Sequence, residues 1–177
     1  LFRSANSGGD KPYPQVIEKD VIKEIPVAPN ASTYYDQGRG YYYDKNYDQA
    51  IAAYDKAIRL DPGNAKYFNS RAWVYALIGE YSKSLNNAEI SLNLRPGIPN
   101  VLDTRAWAYV GLGKYDSAIE DFNDAIELRP ESDFIDRRGV AYYRWGQYQA
   151  AIKDFSKAIE LDPLFAKIGR ASGRERV

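Results

Sequence analysis

One string recurs four times at a nearly fixed interval. The segments YDQAIAAYDKAIRLDP, YSKSLNNAEISLNLRP, YDSAIEDFNDAIELRP and YQAAIKDFSKAIELDP begin at Tyr47, Tyr81, Tyr115 and Tyr148 and close at Pro62, Pro96, Pro130 and Pro163, with spacings of 34, 34 and 33. Such a period means that one supersecondary unit is repeated and that each copy buries its apolar face against its neighbours. Within a copy, apolar or small residues fall three and four apart, as in Tyr47, Ala50, Ile51, Tyr54, Ala57 and Ile58. That is one stripe of a helix, and the closing proline marks its stop. Upstream of each lies a second helical stretch, such as Phe68, Arg71, Ala72 and Tyr75, followed by a turn at Gly79. The unit is helix A, a short turn, then helix B.

This pattern resembles the tetratricopeptide-repeat family. The family's large, small and aromatic positions of helix A, its Gly-x-Tyr turn, and the alanine, ring, alanine and proline of helix B match Leu102, Ala106, Tyr109, Gly113, Tyr115, Ala118, Phe122, Ala125 and Pro130. The resemblance implies an all-α, right-handed superhelical solenoid of four helix-turn-helix units, at residues 31–64, 65–98, 99–131 and 132–166. Departures are local. Lys45 replaces the turn glycine of the first repeat, the second has Ser84, Ala88 and Ser91 where the others have alanine, a ring and alanine, and the single deletion follows Pro130. Alanines such as Ala50, Ala57, Ala118 and Ala125 let helices approach closely, with Tyr and Phe filling the space between them.

Composition narrows the chemistry. The chain has no Cys and no His, so disulfides, thiolate sites, the commonest general base and the commonest metal ligand are all missing. No glycine-rich phosphate loop or nucleophile elbow stands in for them. We therefore expect no catalytic site, no metal and no cofactor. Basic and acidic residues balance at 24 each, which favours neither nucleic acid nor an anionic membrane surface, and no apolar run reaches the ~18 residues of a membrane span.

The two ends differ from the repeats. Residues 1–30 carry Pro12, Pro14, Pro26 and Pro29 and read as an extended linker or arm, with an Asn30-Ala31-Ser32 glycosylation triplet at its junction. The chain begins at Leu1 and contains no Met, so it is expected to be a processed product or a piece of a longer reading frame. Residues 167–177, KIGRASGRERV, lack an apolar stripe and resemble the translation of a sequencing-adapter oligonucleotide with Gly173 mismatched. We expect this tail not to be native, and a further repeat or capping helix to follow Ala166 in the native protein. Without the tail, 20 basic and 23 acidic residues leave a net charge of −3.

The resemblance implies that helices A line a concave surface that holds peptides. At about 100° per residue, the stripe Phe68, Arg71, Ala72, Tyr75 leaves Trp73 on the opposite face, and Trp107 stands in the same relation one repeat later. Neighbouring candidates are Tyr35, Arg39, Tyr42, Asn69, Asp103, Asp136 and Tyr143, a groove of rings with acidic spots. Exposed rings there would act as binding hot spots; equally, they would complete the packing of adjacent helices A. Trp145 is expected to be structural. The family's Lys, Asn and Arg clamp for a chaperone's terminal carboxylate is not matched, since its places look like Tyr35, Arg39 and Ser70, and Lys66 and Arg137 do not replace it.

Arg71, Arg105 and Arg138 recur on the packing stripe and are expected to pair with helix B acids such as Asp121 and Asp154 while their stems cover apolar surface. Glu120, Asp121, Asp124 and Glu127 are expected on the solvated face of helix B. The reading that follows is a non-catalytic scaffold that binds a protein or peptide. The alternative is a structural protein that assembles with itself by end-to-end stacking and docking of the N-terminal arm; a regulatory module attached to an enzyme is the third.

Overall fold

The computed structural model describes residues 28–163. These form eight α-helices: α1 (Ala31–Tyr43), α2 (Tyr47–Leu60), α3 (Ala65–Leu77), α4 (Tyr81–Leu94), α5 (Pro99–Gly111), α6 (Tyr115–Leu128), α7 (Ser132–Trp145) and α8 (Tyr148–Leu161). No strand occurs among the described residues. Of the arm expected over residues 1–30 only the last three are described, and the tail at 167–177 lies outside the described residues.

Local chemistry sets the helix ends. Asn30 caps α1, its side-chain oxygen accepting from the Thr33 amide at 2.9 Å and from the Ser32 hydroxyl at 2.9 Å. The asparagine of the glycosylation triplet thus serves as a helix cap. Asn64 caps α3, and α5 starts with Pro99, whose missing amide hydrogen costs nothing in a first turn. Each A-to-B turn is closed by the same backbone bond, running to Tyr41, Tyr75, Tyr109 and Tyr142 carbonyls from the amides of Asn46, Glu80, Lys114 and Gln147. The residue before each of those amides has positive φ: Gly79, Gly113 and Gly146, and in the first repeat Lys45 at 60°. Lys45 therefore holds a backbone conformation that glycine adopts without steric cost.

Helices pack as four A–B pairs, each pair against the next. The seam inside a pair is a small residue on helix A beneath a ring on helix B. A Cβ placed on Gly38 would lie 2.5 Å from the Tyr54 ring, and one on Gly139 would lie 2.8 Å from Phe155; in the third repeat fully buried Ala106 packs with Phe122. The second repeat pairs Ala72 with Ala88 and brings in Val101 from α5. Of the two serines that stand where the other repeats have alanine, Ser91 donates to the Ala65 carbonyl at 2.8 Å, whereas the Ser84 hydroxyl is buried with no partner among the described residues. The missing residue after Pro130 leaves three residues between α6 and α7 against four between α4 and α5.

The recurrent arginines join the helices of each repeat. Arg105 grips Asp121 through Nε and Nη2, both at 2.7 Å, and Arg138 grips Asp154 identically while its Nη1 reaches Asn123 of the preceding helix B. Arg71 bonds Asn87 in its own repeat and Asp55 in the one before. These hydrogen bonds raise Arg105 and Arg138 above the ordinary guanidinium pKa. The expectation for the carboxylates is corrected at one position: Glu120, Asp124 and Glu127 face solvent, but Asp121 is buried because Arg105 holds it inward.

Candidate peptide-binding groove

Successive helices A touch along the inner side of the array, α3 against α5 and α5 against α7. Polar bonds tie α1 to α3: Ser70 donates to the Tyr35 hydroxyl at 3.3 Å and the Trp73 indole to the Tyr42 hydroxyl at 3.1 Å. Between these helices lies a cleft of about 430 Å³, open to solvent. Tyr35, Arg39, Tyr42, Asn69, Trp73 and Asp103 all line it. Trp107, Asp136 and Tyr143 lie outside that lining. Trp107 packs beside the Ala106 and Phe122 cluster with Arg144 5.2 Å from its ring, Asp136 is half-buried on α7, and Tyr143 is exposed at the end of α7 against Tyr148. Trp145 stacks on Tyr115 at 6.2 Å.

The cleft also draws on residues that the helix-A stripe did not single out. Tyr54 reaches it from α2, and Asn100, Thr104 and Arg129 border it from the third-repeat helix A and the loop after α6. Asn100 and Arg129 were both findable by period, since Asn100 stands 34 residues after Lys66 and Arg129 34 residues after Arg95. A second cleft of about 580 Å³ adjoins the first, sharing Asn69 and Asn100 and continuing past Lys66 and Ile98 between the second and third repeats.

Electrostatics centre on Asp103. The residue is 4% exposed, its Oδ2 pairs with Arg137, and its Oδ1 has no partner among the described residues. Burial pushes its carboxyl up to about 6, outweighing the Arg137 guanidinium, and Asp133 pushes in the same direction. Burial likewise raises Asp136 above the usual carboxylate value. Arg137 lies over the Trp73 ring at 4.8 Å, and Lys66 over the Tyr35 ring at 4.6 Å, so rings and charges are interleaved along the cleft. Among the described residues no three metal-ligating side chains gather, and no helix is long and apolar enough to cross a membrane.

Comparison with known proteins agrees with this architecture. Sequence models of the tetratricopeptide repeat match residues 31–64 and 99–132, residues 53–86, and residues 137–165, together about two thirds of the chain. Human (Homo sapiens) DnaJ homolog subfamily C member 7 is 32% identical over 74 residues, which are 42% of this chain and 15% of that protein. The chain thus spans a small part of the curated relatives it matches. Residues 41-end of MamA from Desulfovibrio magneticus RS-1 superpose with a TM-score of 0.68 at 22% identity, covering 76% of each chain. The first tetratricopeptide domain of Spaghetti (RPAP3), solved bound to an HSP90 peptide, superposes with a TM-score of 0.57 at 21% identity, covering 74% of this chain and 91% of that one. With four A–B pairs, the shared turn geometry and matches in every repeat, the chain belongs to the tetratricopeptide-repeat family.

Proposed function

We propose that this chain is a non-catalytic scaffold that holds an extended segment of a partner protein along the inner face of its helices A. The observation that carries the reading is the cleft itself: α1, α2, α3, α5 and α7 all contribute side chains to it, and it runs on into a second cleft through Asn69 and Asn100. A concave track with rings and a few placed polar groups is the form that peptide sites take. Tetratricopeptide relatives support protein binding as the general role, and the same fold holds a peptide in the RPAP3 structure. The test is panning of a random peptide-phage library against the full chain. Convergent sequences are expected with the native chain and none with Trp73→Ala, while circular dichroism shows unchanged helicity; equal recovery by both proteins rejects the assignment.

One feature favours the self-assembling alternative. On α8, Ile152 is 58% exposed, although its equivalent on α6, Ile119, is 9% exposed beneath the next repeat. The opposite end does not complement it: Tyr67 and Val74 of α3 pack on the preceding helix B, but the equivalent places on α1 are Thr33 and Gly40, both exposed. A polar face does not bury an apolar one, so end-to-end stacking ranks second. Sedimentation velocity over a range of concentrations separates the readings; a strict monomer with and without residues 1–30 eliminates self-assembly.

A further inference from the structure

The peptide groove proposed above has a charge balance that chooses among peptides. Every cation bordering the main cleft is already engaged. Arg39 pairs with Asp36 at 3.9 Å, Arg129 with Glu131 at 2.7 Å, and Arg137 with Asp103. Lys66, in the adjoining cleft, is held over the Tyr35 ring. Of the buried polar side-chain atoms that line the main cleft, two acceptors and one donor make no hydrogen bond among the described residues, and the donor, Arg129 Nε, already lies 2.7 Å from Glu131 Oε1. The Oδ1 atoms of Asn69 and Asp103 are both buried and have no hydrogen-bond partner among the described residues, although both side chains line the cleft. Asn69 and Asp103 are 34 residues apart and so occupy equivalent places on neighbouring helices α3 and α5. Asp133, on the first turn of α7, also borders the cleft and makes no ion pair among the described residues.

Buried acceptors without donors are costly, so an occupant that supplies donors gains what the empty groove forfeits. The protein itself shows what fits there. Arg137 places a guanidinium beside both the Trp73 ring and Asp103 Oδ2, leaving the buried Oδ1 unpaired. Resting on the groove assignment, we infer that the partner segment is basic, and that a lysine or arginine of that segment donates to Asp103 Oδ1 and Asn69 Oδ1, with Asp133 adding attraction at the rim. An acidic segment would bring further acceptors to a main cleft whose two unpaired buried oxygens are acceptors and whose three arginines lie beside carboxylates. Arg95, exposed and in no ion pair among the described residues, lines only the adjoining cleft.

The test uses the full chain and nonapeptide pools, each fixed at one position as Lys, Arg, Asp, Glu, Leu or Phe, with binding followed by fluorescence anisotropy at pH 7.5. Lys or Arg pools fixed at one position are expected to bind about tenfold or more tightly than the Asp and Glu pools. Asp103→Asn is expected to abolish that preference, and the exposed Asp133→Asn to reduce it severalfold in a protein whose buried pairs are untouched. Equal or tighter binding of acidic pools overturns the inference, as does a basic preference that survives both substitutions. Binding without charge preference that is lost in Trp73→Ala rejects the basic partner and leaves the groove standing; no binding by any pool rejects both.

Discussion

The Arg137 guanidinium lies 4.8 Å from the centroid of the Trp73 ring while pairing with Asp103, so one side chain of α7 joins α3 and α5 across the inner face of the array. Neighbouring repeats are held by helix packing, but this contact joins three repeats and fixes one wall of the cleft. Arg137→Ala leaves Asp103 buried without its counter-charge and is expected to lower stability by ~2–4 kcal/mol near neutral pH. Urea unfolding at pH 7.5 measures it, and a loss below ~0.5 kcal/mol would make the contact incidental.

Asp103 also sets a pH dependence with a definite sign. Its folded-state pKa, about 6, is above the ordinary 3.8, so the folded chain holds this proton more tightly than the unfolded chain does. The resulting contribution is fully present below pH 3.8 and is lost as pH rises through about 6. At 1.36 kcal/mol per pKa unit the span is roughly 3 kcal/mol. Urea midpoints of the native chain and of Asp103→Asn, compared between pH 4 and 7, should diverge in slope, with the flatter profile belonging to the asparagine variant.

The Arg105–Asp121 pair is expected to be strongly coupled, because two parallel 2.7 Å bonds meet a carboxylate that is buried. A double-mutant cycle with Arg105→Ala and Asp121→Ala should give a coupling of ~1.5–3 kcal/mol. A value near zero would mean that the arginine stem alone matters.

Two substitutions toward the other repeats should stabilise the chain. Lys45→Gly relieves a non-glycine residue at φ 60°, for a gain of ~0.5–1 kcal/mol after the added chain entropy. Ser84→Ala removes a buried hydroxyl without a partner, for ~1 kcal/mol. Thermal melts check both, and a lower Tm for either contradicts the corresponding account.

Helices, turns and seams were legible because they follow from spacing within one repeat. The Gly-x-Tyr turn, the small residue beneath a ring and the arginine 16 residues before its acid all recur with the period. The groove was legible only in part. Trp73 and Trp107 hold equivalent places in sequence, yet only Trp73 lines the cleft, because each inner face also depends on what the repeat two places on brings to it. Asp121 shows a related limit: the stripe of helix B puts it on the solvated face although its pairing with Arg105 is also expected, and it is the two bonds from Arg105 that hold it inside.

The most direct test of the groove is the affinity of a phage-selected peptide for the native chain, for Trp73→Ala and for a control such as Lys153→Ala on the exposed face of α8, measured by isothermal titration calorimetry. Trp73 lines the cleft, so its truncation should weaken binding about thirtyfold, corresponding to ~2 kcal/mol, with the control unchanged. Affinity that is the same for native chain and Trp73→Ala would contradict binding along the inner face.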